Sequence, residues 1–317
     1  MRVALITGAS RGLGLALAQS LAEENWQLVI DGRDSDALDA AAQELSRHTS
    51  VRAIAGDVAD DGHRRELMDA VAALGRLDVL LNNASALGPS PQPELADYPL
   101  EILRRVFGVN TIAPLALIQQ ALPVLRASGG RIVNVTSDAA VEAYPGWGGY
   151  GSSKAALEQI TRVLIEECPE LRIYLADPGD LRTQLHQEAF PGEDISDRPL
   201  PEVAIPGLLA LVQDDLPSGR YRLQEFDLWP QRVALAESGS RDPGSGGEFH
   251  MALIEGVPSS SSGSDSGSGS GSGSGAGTDS GSGSGTDSGS GSGSDSGSGS
   301  GSGGPVVRPQ PVAAPVA

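Results

Sequence analysis

Apolar positions along the first 230 residues fall into two alternating patterns. Short runs rich in Val, Ile, Leu and Ala occupy 3–7, 28–31, 52–55, 79–82, 131–136, 172–176 and 221–226. Between them lie longer stretches, at 13–23, 35–46, 62–74, 100–126, 150–166 and 202–212, where apolar residues recur every three or four positions. Near-continuous apolar runs such as Val79-Leu80-Leu81 predict strands buried on both faces, and the longer period predicts helices with one face on a core. Strand and helix in alternation predict a parallel sheet covered by helices on both faces, because parallel neighbours need a crossover that returns over the sheet. The fold class expected is therefore α/β, a doubly wound parallel sheet in three layers, α/β/α. Such sheets bind ligands outside the carboxyl ends of their strands.

This alternation stops near residue 236, so residues 1–236 are expected to form one compact catalytic domain. Residues 237–258 read as a polar linker with one apolar patch, Met251-Ala252-Leu253-Ile254. Of the 46 residues in 259–304, 39 are Gly or Ser, which leaves almost no apolar side chain to offset the entropy of ordering. That tract, and the Pro/Val/Ala-rich end at 305–317, are expected to be a disordered C-terminal tail. A passive extension, a functional tether and a joined-on spacer with Glu248-Phe249-His250-Met251 as its junction all fit the composition.

Charge and chemistry narrow the partners. Acidic residues number 41 against 22 basic ones, a net charge of −19 with no basic cluster, which argues against nucleic acid or an anionic membrane as partner. The single cysteine, Cys168, excludes an internal disulfide and a cysteine-based zinc site, and the 4 histidines are scattered, so no metal is expected. There is no uninterrupted apolar run of membrane-span length, and the opening Met1-Arg2-Val3-Ala4-Leu5-Ile6 is too short for a signal peptide. A cytoplasmic location is the expectation.

Three constellations carry chemistry. Thr7-Gly8-Ala9-Ser10-Arg11-Gly12-Leu13-Gly14 follows the first strand and opens the first helix. Gly8 permits a tight turn, Gly12 lets backbone approach a pyrophosphate, and Gly14 lets the helix pack closely, with the free N–H groups of the helix start meeting phosphate. Asn82-Asn83-Ala84-Ser85 ends the fourth strand as a turn. Ser137 ends the fifth strand, and Tyr150 and Lys154 stand four apart on one helix face. An ammonium beside a phenol favours the phenolate and lowers a pKa that starts near 10. Lys154 is also the only lysine in the chain. Arg fills every other basic position, so a compact ammonium is required here.

Together these residues resemble the short-chain dehydrogenase/reductase family, single-domain YxxxK type, over roughly residues 2–230. The glycine loop, the Asn-Asn-Ala turn, Asn110, Ser137, Tyr150, Lys154 and Pro178-Gly179 occur in the family's order and approximate spacing. The resemblance implies a Rossmann-type domain with a catalytic tetrad of Asn110, Ser137, Tyr150 and Lys154. It further implies that Asp57 and Val58 hold the adenine end, that Asn82 and Ala84 line the cofactor cleft, and that Pro178, Gly179 and Thr183 meet the nicotinamide. A homodimer or homotetramer built on the helices at 100–126 and 150–166 is implied as well; Leu103, Val106, Ile160 and Leu164 offer apolar contacts at helical spacing, although some of them must face the sheet. Two departures are Ser85, where the family usually has glycine, and the absence of its usual Gly-Gly after the last strand. Gly146-Trp147 before Tyr150 and Pro178-Gly179-Asp180-Leu181-Arg182-Thr183 are similar to sepiapterin reductase and related carbonyl reductases.

Cofactor choice turns on the second strand's end, Asp31-Gly32-Arg33. With Gly32 at the discriminating position and Arg33 and Arg11 able to meet a phosphate, NADP(H) is expected. A one-residue shift of strand end would bring Asp31 to the ribose and keep NAD(H) possible. The implied activity is hydride transfer between nicotinamide and a small carbonyl or alcohol, with Tyr150 as acid/base and Tyr144 and Trp147 lining the substrate pocket. A non-catalytic dinucleotide-binding regulator and a scaffold acting through the tail remain as alternatives.

Overall fold

The strands lie parallel in one sheet: β1 (Val3–Ile6), β2 (Gln27–Gly32), β3 (Val51–Ala55), β4 (Val79–Asn82), β5 (Arg131–Val135), β6 (Arg172–Asp177) and β7 (Gly219–Arg222). Their spatial order is β3-β2-β1-β4-β5-β6-β7, as expected for a doubly wound sheet. The order reverses between β1 and β4, where Ala4 pairs with Val79 and Ile6 with Leu81, and a crevice opens at that junction. The computed structural model describes residues 1–228. The expectations for 237–258, 259–304 and 305–317, including the disordered tail, lie outside the described residues.

Helices α1 (Gly12–Glu23), α2 (Ser35–Leu45), α3 (Asp61–Leu74), α4 (Leu100–Phe107), α5 (Ala113–Ser128), α6 (Gly148–Glu167), α7 (Gln184–Ala189) and α8 (Ile205–Gln213) cover the sheet. Strand residues alternate between two cores. Ala4, Ile6, Leu28 and Ile30 pack with Leu17, Leu21, Leu208 and Leu211 of α1 and α8. Val3, Leu5, Val29 and Leu80 pack with Leu67, Leu117 and Leu125 of α3 and α5. Both sheet faces are therefore buried, which is why these strands read as continuous apolar runs.

Two expected elements differ. The helix expected over 100–126 breaks at a π-turn, Gly108–Ile112, before α5 begins. Pro114 has no N–H for the carbonyl of Asn110, its ordinary helical partner, so regular bonding cannot run through. The last strand, expected at 221–226, runs instead over Gly219–Arg222, paired to β6 from Tyr174 to Asp177, and Leu223–Leu228 coil into 3-10 turns. The helical run Leu100–Ser128 also has the length and mean hydropathy, 1.3, of a membrane span. Half of that window is buried in the fold, and Leu117, Ile118, Ala121 and Leu125 belong to the core.

Candidate active site

The crevice between β1 and β4 is built by hydrogen bonds that few side chains could replace. Thr7 Oγ1 donates to the Leu81 carbonyl at 3.3 Å and accepts from the amides of Asn83 and Ala84, each at 3.0 Å. Asn83 Nδ2 donates to the carbonyls of Thr7 and Gly8 at 2.9 and 3.1 Å. The glycine loop and the Asn-Asn-Ala turn are thus stitched edge to edge. Gly8 has φ +66°, and a Cβ there would fall 2.9 Å from Ala84 Cα. A Cβ on Gly14 would fall 2.6 Å from both Asn83 Nδ2 and the Gly8 carbonyl oxygen. Only glycine permits either approach.

α1 starts at Gly12 with no side chain capping its first turn, so amide donors are left at the helix mouth. Across from it, a Cβ on Gly12 would meet Thr183 Cγ2 at 3.6 Å, so the loop after β6 stands against the glycine loop. Thr183 caps α7, its hydroxyl accepting from the His186 amide at 3.2 Å. Gly179 donates to Asp177 Oδ1 at 3.0 Å, and Pro178 receives Gln224 Nε2 at 2.8 Å. Ser10 lies under Gly32, where a Cβ would meet Ser10 Cβ and Oγ at 3.0 Å. Leu13 is buried in the core.

The end of β2 resolves one ambiguity of the sequence. β2 pairs with β3 through Gly32, opposite Ala55, so Asp31 is not the last strand residue. The Asp31 carboxylate is 1% exposed, accepts from the Gly8 amide at 2.6 Å, and lies 3.0 Å from His63 Nε2. It closes the glycine loop rather than facing the cleft. Arg11 is held by Gln184 and by Asp34 at 3.4 Å, whereas Arg33 is exposed and makes no hydrogen bond or ion pair among the described residues. Beyond β3, Asp57 pairs with Arg105 at 2.8 Å, and Val58 packs with Val109, Ala113 and Ala84. Asn82 is 3% exposed, its Nδ2 donating to Asn134 Oδ1 at 2.8 Å while its Oδ1 has no partner.

The four tetrad residues converge at the ends of β4 and β5. Asn110, on the π-turn, is fully buried; its Nδ2 donates to Ala86 O and Ser153 Oγ at 2.9 Å, and its Oδ1 accepts from Ala86 N at 2.8 Å and Ser85 Oγ at 3.2 Å. Ser137 Oγ donates to Asp138 Oδ1 at 2.8 Å and accepts from the Ala139 amide at 3.2 Å. Tyr150 and Lys154 are both buried on α6, and Lys154 Nζ sits 5.7 Å from the centre of the Tyr150 ring. Burial pushes the Tyr150 phenol up to about 12; the Ser85 hydroxyl draws it down, the carboxylates of Asp138 and Asp177 push it up, and the Ser137 hydroxyl draws it down again. Burial pulls the Lys154 ammonium down to about 8 against the opposing Glu158 charge. The expectation that Lys154 holds the phenol pKa below its ordinary value is therefore corrected. Burial sets the direction, and the ammonium gives its hydrogen bond to the Val135 carbonyl at 2.8 Å.

Trp147 meets the Tyr150 ring edge-on at 5.8 Å and Phe190 at 6.0 Å, with Leu87, Ala139 and Leu185 around them. Tyr144 is 40% exposed and donates to Asp138 Oδ2 at 3.0 Å. Behind the site lies a buried charge network that the sequence did not disclose. Arg220, on β7, donates to Glu158 Oε1 at 2.9 Å, Asp177 Oδ2 at 2.9 Å and the Ser137 carbonyl at 3.2 Å. Its residues are distant in sequence and carry no motif, and Arg220 is one of two arginines in the last strand, Gly219-Arg220-Tyr221-Arg222, so nothing in the sequence singles it out. Ser85 was visible only as a departure from a pattern.

A doubly wound sheet with a glycine loop at its switch point defines a nucleotide-binding oxidoreductase architecture. The chain belongs to the short-chain dehydrogenase family, whose model matches residues 2–194. It is 38% identical over 173 residues to a rhamnolipid-biosynthesis 3-oxoacyl-(acyl-carrier-protein) reductase of Pseudomonas aeruginosa, covering 52% of this chain and 66% of that protein. To a benzil reductase of Saccharomyces cerevisiae it is 32% identical over 196 residues, 59% of this chain and 74% of that one. A short-chain dehydrogenase structure from Pseudomonas syringae superposes with TM-score 0.67 at 31% identity, over 70% of this chain and 94% of that one. Another, from Shigella flexneri and complexed with NADP, gives TM-score 0.66 at 28% identity over 70% and 97%. The chain is thus an oxidoreductase of this family, one that works with a nicotinamide dinucleotide and a small-molecule substrate.

Proposed function

We propose that this chain is an NADP(H)-dependent reductase of small carbonyl compounds, with Tyr150 as the general acid and base. The observation that carries the reading is the convergence of a buried phenol and a buried ammonium with the half-buried Ser137 hydroxyl at the strand ends, beside a glycine loop that fits a pyrophosphate. When bound, the nicotinamide supplies or accepts the hydride. Tyr150, protonated at neutral pH, gives its proton to the carbonyl oxygen in reduction and takes one from an alcohol in oxidation. Lys154, whose one hydrogen bond among the described residues goes to the Val135 carbonyl, has further N–H donors with which it would hold the nicotinamide ribose. Asn110 fixes the π-turn and the Ser85 turn against each other. Gly8, Ser10, Gly12, Gly14, Asp57, Val58, Ala84, Gly179 and Thr183 form the dinucleotide cleft.

Preference for NADP(H) is supported by the state of β2's end. Asp31 is occupied, Gly32 offers no carboxylate, and Arg33 is available for a 2′-phosphate. Neighbouring structures complexed with NADP or NADPH point the same way. The aromatic wall of Trp147 and Phe190 suits a planar or aryl carbonyl. Assembly as an isologous dimer or tetramer is supported by apolar side chains left exposed on these helices, Leu100 at 61%, Ile112 at 55% and Val163 at 44%. Of the four apolar residues offered for that interface, some of which were expected to face the sheet, Val106 and Leu164 are buried within the chain. The test is NADPH oxidation over a panel of diketones, quinones, pterins and keto esters, with Tyr150→Phe as control. Turnover that survives in Tyr150→Phe would overturn the reading.

A further inference from the structure

Asp138 follows Ser137 in the turn after β5, and its side chain is fixed from three sides. Its Oδ1 accepts from Ser137 Oγ and from the Ala139 amide, each at 2.8 Å, and its Oδ2 accepts from the Tyr144 hydroxyl at 3.0 Å. All three donors are neutral. Glu158 and Asp177, the buried acids behind the site, are each bound to the Arg220 guanidinium at 2.9 Å. Asp138 is half-buried and makes no ion pair among the described residues, so its charge stands uncompensated beside the serine of the tetrad. Burial and the bond to this carboxylate push the Tyr144 phenol up to about 12, which keeps it a donor to Asp138 at neutral pH.

We propose that Asp138 is a specificity-determining residue, whose carboxylate makes the pocket select neutral or cationic carbonyl compounds over those with a carboxylate beside the carbonyl. The inference rests on the reading in which Tyr150 and Ser137 meet the substrate oxygen. An oxygen bonded to Ser137 Oγ stands two hydrogen bonds in series from Asp138 Oδ1, within roughly 6 Å. A substituent on the adjacent carbon falls in the same range, closer than the roughly 8 Å over which physiological salt screens a charge. A carboxylate there is repelled, an ammonium is attracted, and an ester is indifferent. In a half-buried setting, one charge at this range is worth about tenfold in binding. Lys154 does not offset the effect. It is buried on α6 beside the Tyr150 ring, and in the proposed reading its remaining donors go to the cofactor ribose. The aromatic wall of Trp147 and Phe190 carries no charge either.

The test uses three aryl ketones that differ chiefly in the charge beside the carbonyl: methyl phenylglyoxylate, phenylglyoxylate and α-aminoacetophenone, in slightly acidic buffer where the last is an ammonium. Reduction of each with NADPH is compared in wild type, Asp138→Asn, Asp138→Ser and Tyr150→Phe. Each kcat/KM is divided by that of the ester, so that intrinsic reactivity cancels between variants. Both neutral variants should raise the ratio for the anion about tenfold and lower the ratio for the cation by a similar factor. Two replacements guard against one that disturbs the turn. Calorimetric titration into the cofactor-bound protein reads the same ratios for a compound that binds without being reduced. Ratios unmoved in both neutral variants would make the charge of Asp138 irrelevant and overturn the proposal. Ratios that move in the same direction for anion and cation would also overturn it, since pocket shape and not charge would then be the cause. Ester turnover that persists in Tyr150→Phe would instead overturn the reading on which the proposal rests.

Discussion

At Tyr150 and Lys154 burial dominates, and it moves the two groups in opposite directions. The phenol at about 12 is a reservoir of one proton at every physiological pH, and the ammonium at about 8 is close to releasing its own. Tyr150→Phe removes the reservoir while keeping the ring against Trp147, so turnover should drop by roughly 10²–10⁴ with cofactor titration nearly unchanged. Lys154 also leaves a mark on stability. Its folded pKa lies below the unfolded value of 10.5, so the unfolded chain binds more protons between the two and stability rises with pH in that window. Tyr150 has the reverse sign, its folded value lying above 10.0, and stability is lost as pH climbs past the unfolded value. Denaturant unfolding of the ligand-free protein should therefore show wild type gaining about 1–2 kcal/mol on Lys154→Met between roughly pH 7.5 and 9.5. A pH-independent difference between the two would mean that the ammonium is better solvated than its burial implies. Single residues were legible to the degree that chemistry restricts their type. A lone lysine among arginines, or a glycine at positive φ, announces itself. Ser85 does not, because a serine in a turn has many ordinary reasons to be there, and its hydrogen-bond partner, Asn110, lies 25 positions later in the chain.

Elements show where pattern suffices and where it fails. Six of the strands lie within one residue of their apolar runs, and in all of them but the half-exposed β3 burial on both faces forces continuous hydrophobicity. The end of β2 is the most informative of them. Arg33→Ala should weaken NADPH binding about tenfold and leave NADH within about twofold, measured by fluorescence titration. Equal losses for both cofactors would place Arg33 away from the phosphate. Gly32→Asp should favour NADH, but a Cβ at Gly32 meets Ser10 at 3.0 Å, so the exchange is best made together with Ser10→Gly. The break at Gly108–Ile112 was hidden because helical periodicity continues through it. Its cause, a proline four residues after Asn110, is a single missing donor rather than a change of pattern. β7 was misplaced by a few residues because Tyr221, Leu223 and Phe226 are apolar at strand and 3-10 positions alike. At an edge strand, pairing rather than hydrophobicity sets the boundary.

Over the described chain as a whole, the charge network is the feature with the widest reach. Glu158 is 1% exposed and Asp177 4%, and Arg220 is the cation between them. Burial pushes the Asp177 carboxyl up, and Arg220 and the Gly179 amide hold it back. Glu158 is also paired with Arg162 at 2.6 Å, so Arg220→Met would leave Asp177 as the buried carboxylate without its cation, and should cost about 3–5 kcal/mol in thermal or denaturant unfolding. Adding Glu158→Gln and Asp177→Asn should recover much of that loss, and no recovery would mean that Arg220 matters for its packing alone. The same guanidinium holds the carbonyl of Ser137, so the outermost strand takes part in shaping a site whose named residues lie between 110 and 154. The chain is synthesised from its N-terminus, and every residue of the tetrad is made before position 220 exists. Until β7 docks, the tetrad can be present while Asp177 still lacks its guanidinium partner. Completion of the site then coincides with completion of the sheet, so that a nascent chain lacking its last strand holds all four tetrad residues without the guanidinium that bonds the Ser137 carbonyl.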